Sequence, residues 1–200
     1  SITSPIEYGK DGIVFNCNIL DVPVHLHAFG DFQAMNALPC IYIAKACHLK
    51  KESILNGLAH LEMTKMRTQL IPVQNAYILD DTYKSNPESA KAAIDTLMVL
   101  PARKHIAILS DMLDLGSEEK QLHYDVGEYA KEKGVDALYC TGPLSKETSD
   151  GFNGNWYETK DEIYEAVKPL LEEDCVILIK GSRAMKMDTL VDAFRGNDNE

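Results

Sequence analysis

From Tyr77 onward the chain alternates short β-branched, apolar runs with stretches of helical period, and that alternation constrains the fold more than any other feature. A strand over Tyr77–Leu79 leads into Asp80–Asn86. Asn86 is placed to cap a helix and Pro87 to take its first position, and the helix runs to about Val99 with Ala90, Ile94, Leu97 and Met98 facing inward. His105–Leu109 reads as a buried strand. Ser117 is expected to cap a helix to about Lys133, which Gly134 ends. Ala137–Cys140 is a strand and Trp156–Tyr157 a short further one. Thr159-Lys160-Asp161-Glu162 is a capping box opening a helix that carries Ile163, Val167 and Leu170. Val176–Ile179 is a strand, and Gly181-Ser182-Arg183 turns into a last helix with Met187, Leu190, Val191 and Phe194. Such alternation predicts an α/β fold: a mostly parallel sheet with helices on both faces. Ligands then sit at the carboxyl ends of strands, so the loops to read are 80–86, 110–117, 141–145 and 180–183.

The first 80 residues read differently. Ile13–Asn18 and Val22–His27 form a hairpin or edge strands. Helices follow at about Ala34–His48, with Pro39 tolerated by lying near the first turns, and at Lys51–Glu62. Leu70–Val73 and Tyr77–Leu79 are strands around Gln74–Ala76. The tail Asp198–Glu200 is expected to fray. The apolar fraction, 45%, is too high for a disordered chain. No apolar run approaches the roughly 20 residues of a spanning helix. A net charge of -11 argues against nucleic-acid or anionic-membrane partners, though a local basic pocket for a small phosphate ligand is allowed. The five cysteines show no C-x-x-C. They read as buried thiols of a reducing compartment, each in an apolar run that raises its pKa.

Three loops carry candidate chemistry. Asp80-Asp81 at a strand end can hold Mg²⁺ or a ribose hydroxyl pair, or can simply cap the turn that follows. Lys180-Gly181-Ser182-Arg183 leaves a buried strand for a helix N-terminus, a setting that suits a carboxylate or phosphate, with the Arg183 fork added. Its plainer reading is a serine cap beside a solvated arginine. In Ser110–Gly116 the acids Asp111 and Asp114 could line the same edge, or Met112 and Leu115 could anchor an ordinary loop. His123 on the next helix reads as structural. The remaining histidines have no metal-ligand spacing. Arg67 alone is an ordinary surface arginine. There is no G-x-G-x-x-G, Walker A or G-x-S-x-G sequence. A phospho-receiver reading needs an aspartate at the end of the third strand, where Cys140-Thr141-Gly142 stands.

Taken together the loops resemble a known family. Asp80-Asp81-Thr82-Tyr83-Lys84-Ser85-Asn86-Pro87-Glu88-Ser89 is similar to the D-D-x-Y-N-A-N-P-x-S segment of the Mur ligases. Ser110–Gly116 resembles their G-D-M-x-E-L-G, and Lys180–Met185 their K-G-S-R-x-M. Met66-Arg67-Thr68-Gln69 looks like M-R-x-E/Q, and Gly30–Leu38 like G-x-H-N-x-x-N-A-L. Within the family the motifs most resemble the type that adds D-alanyl-D-alanine; the D-N-P-R of the diaminopimelate-adding relative is missing. The resemblance implies a Rossmann-like C-terminal domain over 81–200, preceded at 1–80 by the end of a central α/β ATP-binding domain. The P-loop and catalytic residues would lie upstream, so no catalytic residue and no metal ligand is assigned within the chain.

The implied reaction is ATP-dependent. The terminal carboxylate of UDP-N-acetylmuramoyl-tripeptide becomes an acyl phosphate, and the amine of D-alanyl-D-alanine displaces phosphate to form an amide for peptidoglycan. By motif position the resemblance puts Asn36, Arg67, Asp81, Tyr83 and Asn86 on the nucleotide side, with Asp81 at the ribose. Lys180, Ser182 and Arg183 would face the dipeptide. It also implies Mg²⁺, a monomer, the bacterial cytoplasm, and no activity from these 200 residues alone. Phe32-Gln33 and Lys84-Ser85 depart from the family pattern: Gln33 keeps an amide, whereas Phe32 can only stack. The alternatives are another Mur-type or folylpolyglutamate-type amide ligase, or a non-catalytic ligand-binding or receiver-like module.

Overall fold

A computed structural model describes residues 1–61 and 65–196. It divides into two units, Ser1–Lys65 with Val99–Pro101, and Met66–Met98 with Ala102–Glu200. In the first unit, β1 (Glu7–Gly9), β2 (Gly12–Phe15) and β3 (Val24–Leu26) form an antiparallel sheet in that order. Helices α1 (Asp31–Ala46) and α2 (Lys51–Ala59) follow. Their Ala34, Ala37, Ile41 and Ile54 close a core with Ile13, Phe15, Val24 and Leu26. The expected hairpin is β2–β3, and β1 is an addition.

Pro39 lies in the middle of α1, not in its first turns. The helix continues because Ile41 and Ala37 on either side are buried, so packing outweighs a missing backbone hydrogen bond. The other side of α1 leaves Phe32, Met35, Tyr42 and Ile43 exposed. Cys40 and Cys47 are exposed as well, which corrects the expectation that every thiol is buried. The expectation holds for Cys140 and Cys175, whose thiols burial pushes up, that of Cys175 to about 11. The second helix ends at Ala59, earlier than expected.

The second unit is built on a six-stranded sheet. Its strands are β4 (Gln69–Val73), β5 (Ala76–Asp81), β6 (Lys104–Ser110), β7 (Ala137–Thr141), β8 (Asn155–Tyr157) and β9 (Cys175–Lys180), in the order β4-β5-β9-β6-β7-β8. Only the β4–β5 pair is antiparallel. Because β4 pairs with β5 and β5 with β9, the segment from Met66 belongs to this unit. The compact units divide at 65/66.

Helices α3 (Pro87–Val99), α4 (Glu119–Lys133) and α5 (Ser145–Phe152) connect strands stepping outward from β5 to β8. Helix α6 (Lys160–Val167) carries the chain back to β9, and α7 (Asp188–Phe194) follows. Right-handed crossovers put outward and returning helices on opposite faces. Ile163, Val167, Leu190, Val191 and Phe194 of α6 and α7 accordingly pack with Ile78, Ile106, Ile108, Ile177 and Ile179 of the strands. The other face, with Leu79, Leu178, Ala107 and Leu138 buried, is left to α3, α4 and α5.

Local signals act as expected at three places. Asn86 Oδ1 accepts from the Ser89 N–H at 2.8 Å, opening α3. Gly134 ends α4 in the left-handed region. Thr159 and Glu162 exchange the two capping-box bonds. Two ends differ. Ser117 sits inside a short 3₁₀ turn, Gly116–Glu118, and caps nothing with its side chain. Arg183–Met185 is a 3₁₀ turn, separated from α7 by left-handed Lys186. The tail Asp198–Glu200 lies outside the described residues.

Proline inside a helix costs about 3 kcal/mol relative to alanine, and Pro39 is exposed. Pro39→Ala is therefore expected to stabilise the first unit by up to about 3 kcal/mol, read as a higher urea midpoint with an unchanged slope.

Candidate functional site

In-register parallel pairing aligns Asp81, the last residue of β5, with Lys180, the last of β9. Partners in a parallel pair share a face, so the two side chains lie side by side. Lys180 Nζ donates to Asp81 Oδ2 at 2.5 Å and to the Lys84 carbonyl at 2.8 Å. The Lys180 side chain is 2% exposed and that of Asp81 16%. Burial pulls the Lys180 ammonium below the usual lysine value, against the pull of Asp81, and the charge of Arg67 adds to the lowering.

Asp81 Oδ1 accepts from the Thr68 N–H at 3.1 Å and from its hydroxyl at 3.3 Å. The Arg67 guanidinium lies 4.3 Å from the centroid of the Tyr83 ring, a cation–π contact. The Tyr83 N–H donates to the Met66 carbonyl at 3.1 Å. Met66 and Thr68 both have positive φ, 66° and 48°. Two non-glycine residues in the left-handed region, one of them β-branched, mark a strained turn held by its surroundings. That turn aims Arg67 at Tyr83. Arg67, Asp81, Tyr83 and Lys180 thus form one cluster at the carboxyl edge of the sheet.

Asp80 does not join it. Neighbouring strand residues point to opposite faces, and Asp80 turns back to accept from the Thr82 N–H at 3.1 Å and the Thr82 hydroxyl at 2.7 Å. Burial pushes its carboxyl above the usual range, against the pull of the Thr82 bonds, with Asp81 and Asp188 contributing repulsion. The two acids diverge, so the reading of Asp80-Asp81 as a paired Mg²⁺ site is corrected. Among the described residues no three His, Cys, Asp or Glu side chains gather for a metal.

A second group of contacts ties three exit loops together. Asp111, buried, accepts through Oδ1 from the N–H groups of Leu144 and Ser145 at 3.1 and 2.8 Å, at the start of α5. Its carbonyl accepts from the Ser182 N–H at 3.0 Å, and Ser182 Oγ accepts from the Leu113 N–H at 2.9 Å. Gly142, at φ 107°, lies where a Cβ would stand 2.4 Å from Asp111 Oδ1. Asp111 is therefore a clasp between loops, not an acid on the edge. Ser182 is part of the same clasp, with only its hydroxyl proton uncommitted. His123 Nε2 accepts from the Met112 N–H at 2.9 Å, and Nδ1 pairs with the Glu119 carbonyl. That is the structural role expected of it.

Arg183 is 56% exposed at its side chain and pairs through one terminal nitrogen with Asp188 Oδ2 at 2.8 Å. The buried Asp188 Oδ1 and Ser110 Oγ have no partner among the described residues. Asn86 spends its carbonyl oxygen on the α3 cap. Asn36 belongs to the first unit, on the exposed side of α1. The sequence reading missed Thr68, the Lys84 carbonyl, Gly142 and Asp188. Thr68 carried a signal, lying within the Met66–Gln69 motif; the carbonyl carried none.

Comparison with known proteins gives a family-model match to "Mur ligase, glutamate ligase domain" over residues 66–183. The chain is 32% identical over 142 residues to the UDP-N-acetylmuramoyl-tripeptide–D-alanyl-D-alanine ligase of Rickettsia prowazekii, covering 69% of this chain and 32% of that protein. It is 32% identical over 182 residues to the Escherichia coli enzyme of the same name, covering 88% and 40%. It thus spans well under half the length of these relatives. The structure superposes on the Thermotoga maritima MurF ligase solved in complex with ADP with a TM-score of 0.83 at 19% identity, over 98% of this chain and 46% of that one.

Two outcomes are expected from substitutions here. Asp111→Ala leaves two N–H groups at the start of α5 without their acceptor and costs about 2–3 kcal/mol, measurable by urea unfolding. Asp80 has a folded pKa above its ordinary 3.8, so the native state holds the proton more tightly and stability falls as pH rises from about 3.8 through the folded value. Asp80→Asn should therefore raise the urea midpoint at pH 7 and lose that advantage at low pH. An equal gain at both pH values would exclude a charge penalty.

Proposed function

The chain belongs to the Mur ligase family, and we propose that it forms the nucleotide- and amine-facing part of a ligase joining D-alanyl-D-alanine to UDP-N-acetylmuramoyl-tripeptide. The observation that carries this reading is the cluster of Arg67, Asp81, Tyr83 and Lys180 at the strand exits, one loop away from exposed Arg183. ATP phosphorylates the terminal carboxylate, the dipeptide amine attacks the acyl phosphate, and amide, ADP and phosphate leave. Such chemistry depends on positioning and on charge neutralisation away from water.

In this reading the chain's residues divide the work. Tyr83 with Arg67 offers a flat face and a cation to the nucleotide. Asp81 Oδ2, bonded by Lys180, offers its second lone pair to a ribose hydroxyl. Asn86 keeps its amide N–H groups for the same ligand. Arg183 has one edge of its fork free for a carboxylate, and the Ser182 hydroxyl proton remains available beside it. The Mg²⁺ that accompanies ATP takes its ligands outside these residues, since Asp80 and Asp81 cannot hold it as a pair.

The part from the central ATP-binding domain ends near Lys65. The exposed Phe32, Met35, Tyr42 and Ile43 on α1 support that assignment, because an uncovered apolar helix face marks an interaction surface. The C-terminal domain then runs from Met66. The reading places the enzyme in peptidoglycan precursor synthesis, as a monomer in the bacterial cytoplasm. No helix among the described residues is long and apolar enough to cross a membrane.

The test is made in the complete ligase, by phosphate release from ATP that depends on both the tripeptide substrate and D-alanyl-D-alanine. Losing a charge-assisted bond to a carboxylate costs about 1.5–3 kcal/mol. Arg183→Ala should then raise the dipeptide KM by roughly tenfold to a hundredfold, with a smaller change for ATP. The 200-residue chain alone should release no phosphate. Phosphate release driven by glutamate instead of the dipeptide would point to a folylpolyglutamate-type ligase and overturn the substrate assignment.

A further inference from the structure

Lys180 and Arg183 are three residues apart and read from sequence as one basic group. The structure gives them different surroundings, Lys180 2% exposed beside Asp81 and Arg183 56% exposed beside Asp188. Lys180 shares its face with Asp81, its register partner on β5, and with Leu109 on β6. Arg183 pairs with Asp188 at the start of α7, the helix that packs with Ile179 and Ile108 on the other face. Only Arg183 is open to a ligand. Lys180 is enclosed, with two bonds already made, to the Asp81 carboxylate and the Lys84 carbonyl.

Those two bonds have a geometric consequence. Asp81 ends β5, and Lys84 lies in the loop leading from it to α3. One buried ammonium therefore ties the start of that loop to its middle, with Tyr83 between them. Tyr83 is fixed from the other side as well, through its N–H to the Met66 carbonyl and its ring under Arg67. Asp81 is itself held from that side by Thr68. The β9 end and the strained 66–68 turn thus grip the β5 exit loop between them.

We propose that Lys180 is a positioning residue for the nucleotide and not a ligand of the dipeptide: it locks the β5 exit loop so that Asp81 and Tyr83 are presented in fixed places. The proposal rests on the reading that Asp81 and Tyr83 serve the nucleotide. It moves Lys180 from the amine substrate to the ATP side of the reaction.

The test has two arms. In the complete ligase, Lys180→Met should raise the KM for ATP at least tenfold and leave that for D-alanyl-D-alanine within twofold, opposite to the effect of Arg183→Ala. Lys180→Met leaves Asp81 buried without its counter-charge, so the Lys180→Met/Asp81→Asn double variant guards against simple misfolding. In the second arm, hydrogen exchange is followed in the 200-residue chain. The Tyr83 amide should exchange at least tenfold faster in either variant, while the Ile177 amide in the middle of β9 keeps its rate. A rise in the dipeptide KM with ATP unaffected would overturn the proposal. So would unchanged Tyr83 exchange, or equal acceleration at Tyr83 and Ile177, which is global loosening. If exchange at Tyr83 accelerates but neither Lys180→Met nor Arg67→Ala alters the KM for ATP, the lock stands as geometry, and it is the placement of the nucleotide at this loop that fails.

Discussion

The contact on which the site depends is the ion pair between Asp81 and Lys180, closed at the ends of two adjacent parallel strands. A buried pair of this kind contributes little net stability, but removing one partner leaves a charge with nothing to answer it. Its effect is on geometry. It fixes the relative register of the β5 and β9 exits, and through the Lys84 carbonyl it fixes the path of the loop that follows. The Thr68 bonds to the other carboxylate oxygen extend the same constraint to the β4 approach. A second network does comparable work one strand further along, where Asp111 and Ser182 join the β6, β7 and β9 exits.

Parallel topology explains why so much converges here. Every strand from β5 to β8, with β9 among them, runs the same way. All five therefore exit at one edge, where helix N-termini and loops accumulate. The strand alternation then sorts what arrives. Asp80 and Asp81 are neighbours in sequence, yet one faces the α6–α7 side and the other the opposite side. Lys180 and Arg183 also part, one enclosed beside Asp81 and the other exposed beside Asp188. Pairs of like residues that invite a joint function are divided at this edge.

Much of the fold was legible because local signals in this chain are consistent with its tertiary structure. The capping box at Thr159, the Asn86-Pro87 start and the Gly134 stop each satisfy backbone groups within a few residues, so their sequence signatures carry through. The boundary at Lys65 was not legible. Nothing in the residues 69–81 says that β5 will pair with β9, a hundred residues away. Pro39 shows the reverse case, a local prohibition overridden by burial of Ala37 and Ile41 on either side. At the site, Arg67, Asp81, Tyr83 and Lys180 were all legible as candidates, since charged and aromatic residues at strand exits stand out. Their partners were less so. Thr68 and the Lys84 carbonyl matter through position alone, and a backbone oxygen leaves no mark on a sequence.

The sequence by itself determined the order of strands and helices, the edge of the sheet where function would lie and the family to which the chain belongs, because these rest on short-range periodicity and on motifs a few residues long. Only the tertiary structure decided who meets whom at that edge. Whether Lys180 reaches outward to a ligand or inward to Asp81, and whether Asp111 lines a site or clasps three loops, depends on register between strands far apart in the chain. A shift of one residue in that register would turn each of these side chains to the other face.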